Sequence, residues 1–167
     1  MTSSTLKEAL SLVTNSVSIV AVISDNKVFG CTISSLQAID VSKENPRLIF
    51  ILKKGSELGN KLQSTKEFSI NALSADQSEL AGKFSGDRDP QDFRQESSIW
   101  SQKGKIPILK NYVFYAICTL DRVIDFPSSN LFVANVVELE CNTNNPILCY
   151  SRRGYGRFVP KWNENTN

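Results

Sequence analysis

Two short stretches carry side chains suited to holding a phosphorylated ligand. In "VFGCTISSL" (28–36), Gly30 is followed by Thr32, Ser34 and Ser35 in what otherwise reads as a buried strand. A strand end built from glycine and hydroxyls offers N–H and O–H donors to phosphate oxygens. Its bland counterpart is an edge whose hydroxyls bond neighbouring backbone, and the residues alone leave both readings open. In "KKGS" (53–56), Lys54 supplies a point charge, while Ser56 and the Gly55–Ser56 amides supply donors. The same four residues also make an ordinary solvated turn. Asn71 sits centrally in the apolar run "FSINAL" (68–73). Buried without partners it would cost a few kcal/mol, so it either makes an internal bond or lines a polar cavity. "KFSG" (83–86) sets Lys83 and Phe84 at a helix end, which an ordinary helix C-terminus explains equally well. Towards the end, "YSRRGYGRF" (150–158) groups Tyr150, Arg152, Arg153, Tyr155 and Arg157. That group can clamp an anionic second substrate or a dinucleotide phosphate, or be a surface strand with snorkelling arginines.

The chain contains no histidine among its 167 residues. That excludes Ser-His and Cys-His nucleophilic sites, His-ligated metals and imidazole acid/base catalysis. An enzyme on this chain relies on carboxylates, Lys, Tyr or Cys, or hands its chemistry to a cofactor, so no catalytic side chain and no metal ligand is assigned. Net charge is +2, with 19 basic and 17 acidic residues interspersed, which speaks against nucleic-acid binding. No apolar run approaches the ~20 residues of a membrane helix. "MTSSTLKEALSLV" has no basic block followed by an apolar one, so no secretory signal is read. Cys31, Cys118, Cys141 and Cys149 form no C-x-x-C and are expected reduced, in the cytoplasm.

The elements that must position these residues read as follows. Helical spacing of Leu6, Leu10 and Val13 predicts a helix over 5–14, and β-branched runs around "SDNK" predict a hairpin over 16–35. Strands are expected at 48–53, 68–73, 112–126 and 131–141, with a short apolar piece at 147–150. Ser74 as N-cap with Gln77 in the capping-box position predicts a helix over 74–84, and Asp89-Pro90 can open another. No G-x-G-x-x-G follows a strand, and no regular β-α alternation occurs, so a Rossmann site and a doubly wound sheet are disfavoured. The order favours a single, mainly β domain, an antiparallel barrel with a few helices, with an ordered core over about 5–158 and a tail from 159 to 167.

Taken together, "GCTISSL", Pro46 before "LIFILKKGS", and "FSINALSADQSELAGKFSG" resemble the flavin reductase family with the FMN-binding split barrel. The family supplies the small reductase components of two-component flavin-dependent monooxygenases. The resemblance continues through "IWSQKGKIPILKNYVFYAICTLDRVID", "LFVANVVEL" and "PILCYSRRGYG", covering about residues 8–157. It implies a six-stranded antiparallel split β-barrel, a homodimer, and flavin held at the subunit interface. It also implies roles for particular residues: Thr32, Ile33, Ser34 and Ser35 line the flavin; Lys54, Gly55 and Ser56 hold its phosphate; Asn71, Lys83 and Phe84 lie near the ring or ribityl chain. The cofactor expected is FMN or FAD, reduced by NAD(P)H, with a monooxygenase component as partner. One departure bears on the hydride donor: where the family carries Gly-Asp-His, this chain has Pro127, Ser128 and Ser129. Either Ser128 and Ser129, with Tyr155, bind the nicotinamide instead, or the protein is an electron-transfer flavoprotein or flavin-dependent oxidase that does not use NAD(P)H.

Overall fold

The computed structural model describes residues 3–85 and 98–159. A first helix, α1 (Ser3–Ser11), leads into a short strand β1 (Asn15–Ser16). The hairpin β2 (Ser18–Ser24) and β3 (Lys27–Ile33) follows, with Asp25 and Asn26 as its turn. Next come β4 (Gln37–Asp40), β5 (Arg47–Lys53), α2 (Glu57–Thr65) and β6 (Glu67–Ala72). Beyond α3 (Ser78–Lys83) stand the hairpin β7 (Trp100–Lys103) and β8 (Ile106–Leu109), then the long β9 (Phe114–Asp125) and β10 (Ser129–Cys141). A last hairpin, β11 (Leu148–Ser151) and β12 (Gly154–Arg157), ends the described chain.

Seven strands form one antiparallel sheet in the order β3-β2-β6-β9-β10-β5-β4. The sheet curls without closing, so the mainly β, split-barrel class expected from the sequence holds, with the four-residue β4 as a seventh strand beyond the six expected. The Ser35 hydroxyl bridges the gap between its ends, accepting the Ile51 N–H at 3.0 Å. Inside the curl, Phe50 stacks on Phe132 at 5.1 Å and meets Phe68 edge-on at 5.8 Å, all three fully buried. Leu58 and Leu62 of α2 join the same cluster, so the helix covers one end of the barrel. Its start is fixed by Ser56, whose hydroxyl accepts the Gly59 N–H, and its end by Lys66 in the left-handed region.

β2 is buried on both faces, which is why its sequence reads as a continuous apolar run. Val20 and Val22 point into the barrel; Val17, Ile19 and Ala21 pack outward against Leu73, Phe84, Trp100 and Leu148. The second cluster requires Gly30, because a Cβ there would meet the Phe84 ring at 2.8 Å. A small second sheet, β1-β11-β12, lies over this side.

The helix expected over 74–84 begins at Ser78. Gln77 does reach back to the Ser74 N–H at 3.0 Å, as in a capping box, but the Ser74 hydroxyl turns to Asp76 and the chain makes a turn first. The expected helix at Asp89-Pro90 lies outside the described residues, as do residues 160–167 of the tail.

Candidate functional site

Thr32, Ile33 and Ser34 end β3 at the mouth of a cleft of about 220 Å³, whose other walls are Val17, Ser85, Tyr150 and Tyr155. Thr32 is tied down on two sides: its N–H donates to the Phe84 carbonyl at 3.0 Å and its hydroxyl to the Ala81 carbonyl at 2.8 Å. Ile33 turns its side chain into the barrel core. Ser34 is exposed at the rim. The tyrosines face each other at 5.3 Å as a cross-strand pair of β11 and β12. Burial, with Tyr150 adding to it, pushes the Tyr155 phenol up. The cleft therefore has aromatic and aliphatic walls with hydroxyls at its edge.

From this cleft the Ser35–Ile51 bond leads to the lysine turn. Lys53 stands two residues beyond Ile51, roughly 7 Å along β5. There Lys54 meets Asp125 at 2.7 Å, and its N–H donates to the Ser128 carbonyl at 3.1 Å. Ser129 pairs with Lys53 across the ladder, and its carbonyl accepts the Phe126 N–H at 2.9 Å. Gly55 takes a φ of +72° at the turn. The fold thus sets Ser128 and Ser129 beside Lys54–Ser56, and places the Thr32–Ser34 edge with Tyr155.

Asn71, Phe84 and Lys83, singled out from sequence, belong neither to this cleft's walls nor to the lysine turn. Asn71 is fully buried and its amide is used internally, donating to Ile19 and Ser69 at 3.2 and 2.8 Å and accepting from Leu109 at 2.9 Å. Phe84 is buried edge-on against Trp100 at 5.9 Å, and Lys83 is exposed on the last turn of α3. Ser85, next along, is the residue of "KFSG" that reaches the cleft. Sequence reasoning passed over it because a serine after a helix reads as a cap, a bond it also makes with the Gly82 carbonyl at 2.8 Å. Cys31 and Cys149 are half-buried, and burial pushes the Cys118 thiol up to about 12. Among the described residues no helix is long and apolar enough to cross a membrane, and no group of metal-ligating side chains gathers.

The β11–β12 hairpin carries a second cleft of about 420 Å³, sharing Tyr155 with the first and lined also by Thr14, Ser151, Arg152 and Arg157. Its turn holds Arg152 and Arg153 at φ of 50° and 62°, a region that costs non-glycine residues about 1 kcal/mol each.

Comparison with known proteins now decides the lineage. Residues 10–158 match the flavin reductase like domain. The chain belongs to that family. It is 29% identical over 144 residues to the reductase component of 4-nitrophenol 4-monooxygenase/4-nitrocatechol 2-monooxygenase from Rhodococcus opacus, covering 86% of this chain and 75% of that one. To the NADPH-flavin oxidoreductase of Streptomyces viridifaciens it is 27% identical over 128 residues, 74% of this chain and 65% of the other. Among solved structures, a flavin reductase domain protein from Arthrobacter sp. FB24 superposes with a TM-score of 0.83 at 24% identity, covering 95% and 97% of the two chains, which shows the shared fold.

Proposed function

We propose that this flavin reductase family oxidoreductase binds FMN, reduces it with NAD(P)H and supplies reduced flavin to a partner oxygenase. The observation that carries the reading is the tyrosine-walled cleft at Thr32–Ser34, with the adjoining Ser35 bonded to Ile51 on β5, the strand that leads into Lys53 and Lys54. An FMN needs an apolar slot for a planar ring and donors for a phosphate of roughly −1.5 to −2 charge. Val17 and the two tyrosines meet the first need; Lys54, the Gly55–Ser56 amides and the N-terminus of α2 meet the second. A phosphate there competes with Asp125 for Lys54, and that pair is exposed enough to part at little cost. A flavin held there would supply two-electron redox chemistry with a reduced nicotinamide as the donor. The chain holds the two rings close and aligned and excludes water from the slot, and it needs no general base.

Homodimerisation is part of the reading. Ile51, Leu131 and Ile124 lie in register on the outer faces of β5, β10 and β9, with Ile51 and Ile124 nearly half exposed, and Leu6 and Leu10 of α1 are exposed as well. Anaerobic mixing of the FMN-loaded protein with NADH or NADPH tests the function: the visible flavin band should bleach. Bound flavin that neither nucleotide bleaches, but that a protein donor reduces, overturns it in favour of an electron-transfer flavoprotein, the alternative that Ser128 and Ser129 in place of Asp-His keep open.

A further inference from the structure

The β11–β12 hairpin carries three arginines whose charges have no ion partner among the described residues. Among the described residues Arg152, Arg153 and Arg157 have no ion pair, whereas Arg122 meets Asp121 at 2.9 Å and Arg47 donates to Asn135 at 3.2 Å. Two of the three occupy a turn that suits them badly. Arg152 and Arg153 take consecutive positive φ angles, the two-residue geometry for which Asn-Gly is the favoured pair. The tip is nevertheless held still: the Arg152 N–H donates to the Ser11 carbonyl at 2.6 Å and the Ser151 hydroxyl to the Leu12 carbonyl at 3.3 Å.

Arg152, with Arg157 on the neighbouring strand, borders an anion-ready space. The 420 Å³ cleft contains Arg152 and Arg157 with the Thr14 and Ser151 hydroxyls, and no carboxylate lines it. Tyr155 is shared with the neighbouring cleft, so one elongated ligand can lie across that ring with its planar end on one side and its phosphates on the other. Planar guanidinium forks suit phosphate oxygens bidentately.

We propose that this second cleft is the subsite for the 2′-phosphorylated adenylate end of the hydride donor, so that the enzyme selects NADPH over NADH. The proposal rests on the flavin reductase reading above and adds the residues that choose the nucleotide. NADH lacks the extra phosphate and leaves one guanidinium unpaired, so the margin expected from its charge-assisted bonds is about 10–100-fold.

The test is calorimetric titration of the full chain with 2′,5′-ADP, 5′-AMP and inorganic phosphate, for the natural sequence and for R152N/R153G. The natural protein should bind 2′,5′-ADP about 10–100-fold more tightly than 5′-AMP. The double variant should lose that margin while melting at the same or a higher temperature, because Asn-Gly relieves the turn; a merely structural role for the arginines predicts no such split. Arg157→Gln, outside the turn, should also narrow the margin and serves if the double variant fails to fold. Equal affinity for the two nucleotides, a margin that survives both substitutions, or inorganic phosphate binding as tightly as 2′,5′-ADP each overturns the proposal. None of these titrations needs flavin or turnover: loss of the margin beside intact nicotinamide-driven bleaching overturns the subsite alone, whereas no bleaching by either nucleotide overturns the reductase reading.

Discussion

The chain builds the same two-residue turn twice. Between β2 and β3, Asp25 and Asn26 take φ of 51° and 59°; between β11 and β12, Arg152 and Arg153 take 50° and 62°. Asp and Asn tolerate the left-handed region because their short side chains bond locally. Asp25 illustrates this, accepting from Ser24 at 3.1 Å and pairing with Lys61 at 2.7 Å, whose ammonium lies 4.8 Å from the Phe29 ring centroid. The Lys61 hydrogen bond holds the Asp25 carboxyl below its ordinary value. Every charge of the first turn is bound into the fold; the second turn's charges are not. Closely similar φ angles with opposite side-chain logic separate a turn whose charge is paired from one whose charges have no ion partner among the described residues.

Asn71 gives the largest effect by which that separation can be broken. Its amide is committed inward like Asp25, so Asn71→Ala should cost about 3 kcal/mol, orphaning the Leu109 N–H and the Ile19 carbonyl. Denaturant unfolding reads this. A variant of unchanged stability that binds FMN weakly would make Asn71 a ligand contact instead. Transplanting the arginines comes next. Asp25→Arg with Asn26→Arg should destabilise by about 1–2 kcal/mol, from the turn conformation and the lost Lys61 pair. If the swap is neutral, arginine suits this turn well enough and its presence at 152–153 says nothing about ligands.

Legibility in the sequence followed the same division. The hairpin over 16–35 and the long β9 and β10 were readable because β-branched residues run up to polar turns. β1, β4, β7, β8 and β12 have two to four residues each, too short to show alternation; β4 adds to the longer β5, while β7 with β8 and β11 with β12 pair as short hairpins. Ser35 was flagged by its hydroxyl, but that it bridges to Ile51 depends on how far the sheet curls, which no local pattern encodes. The pairing of Tyr150 with Tyr155 follows from the hairpin register. Ser85 enters the cleft only because α3 ends under β3.

A smaller effect concerns Ser18, whose hydroxyl is the one buried side-chain polar atom among the described residues without a partner. It lies across from Ile33 in the β2–β3 ladder, near the cleft but on the core side. Ser18→Ala should stabilise the free protein by about 1 kcal/mol, relieving an unmade bond. A loss of stability, or of FMN affinity, would mean that the hydroxyl has a partner in the working protein.

The smallest effect is the pH response of the third hairpin, where Gly104 takes the positive φ and a lysine is bound inward. Lys103 pairs with Glu138 and, at 3.8 Å, with Glu140; Tyr115 donates to the two carboxylates at 2.9 and 2.7 Å, and Tyr112 to Glu140 at 2.5 Å. Hydrogen bonds from Lys103 to Glu138, and from Tyr112 to Glu140, lower both carboxyls. Their contribution is present above the ordinary Glu value of about 4.3 and lost as pH falls through the lowered ones. Burial raises the Tyr115 phenol to about 12, and the Glu138 bond raises Lys103. These act in the opposite sense: their contribution is present below about 10 and fades as pH climbs past it. The melting temperature should therefore hold level between about pH 5 and 10 and fall on either side. Glu138→Gln with Glu140→Gln should flatten the acid fall, and more so at low salt, because the pairs are exposed and screened. An acid limb unchanged in the double variant would place the sensitivity elsewhere and leave Lys103 as loosely held as Arg152, erasing the distinction between bound and unbound cations on this protein's hairpins.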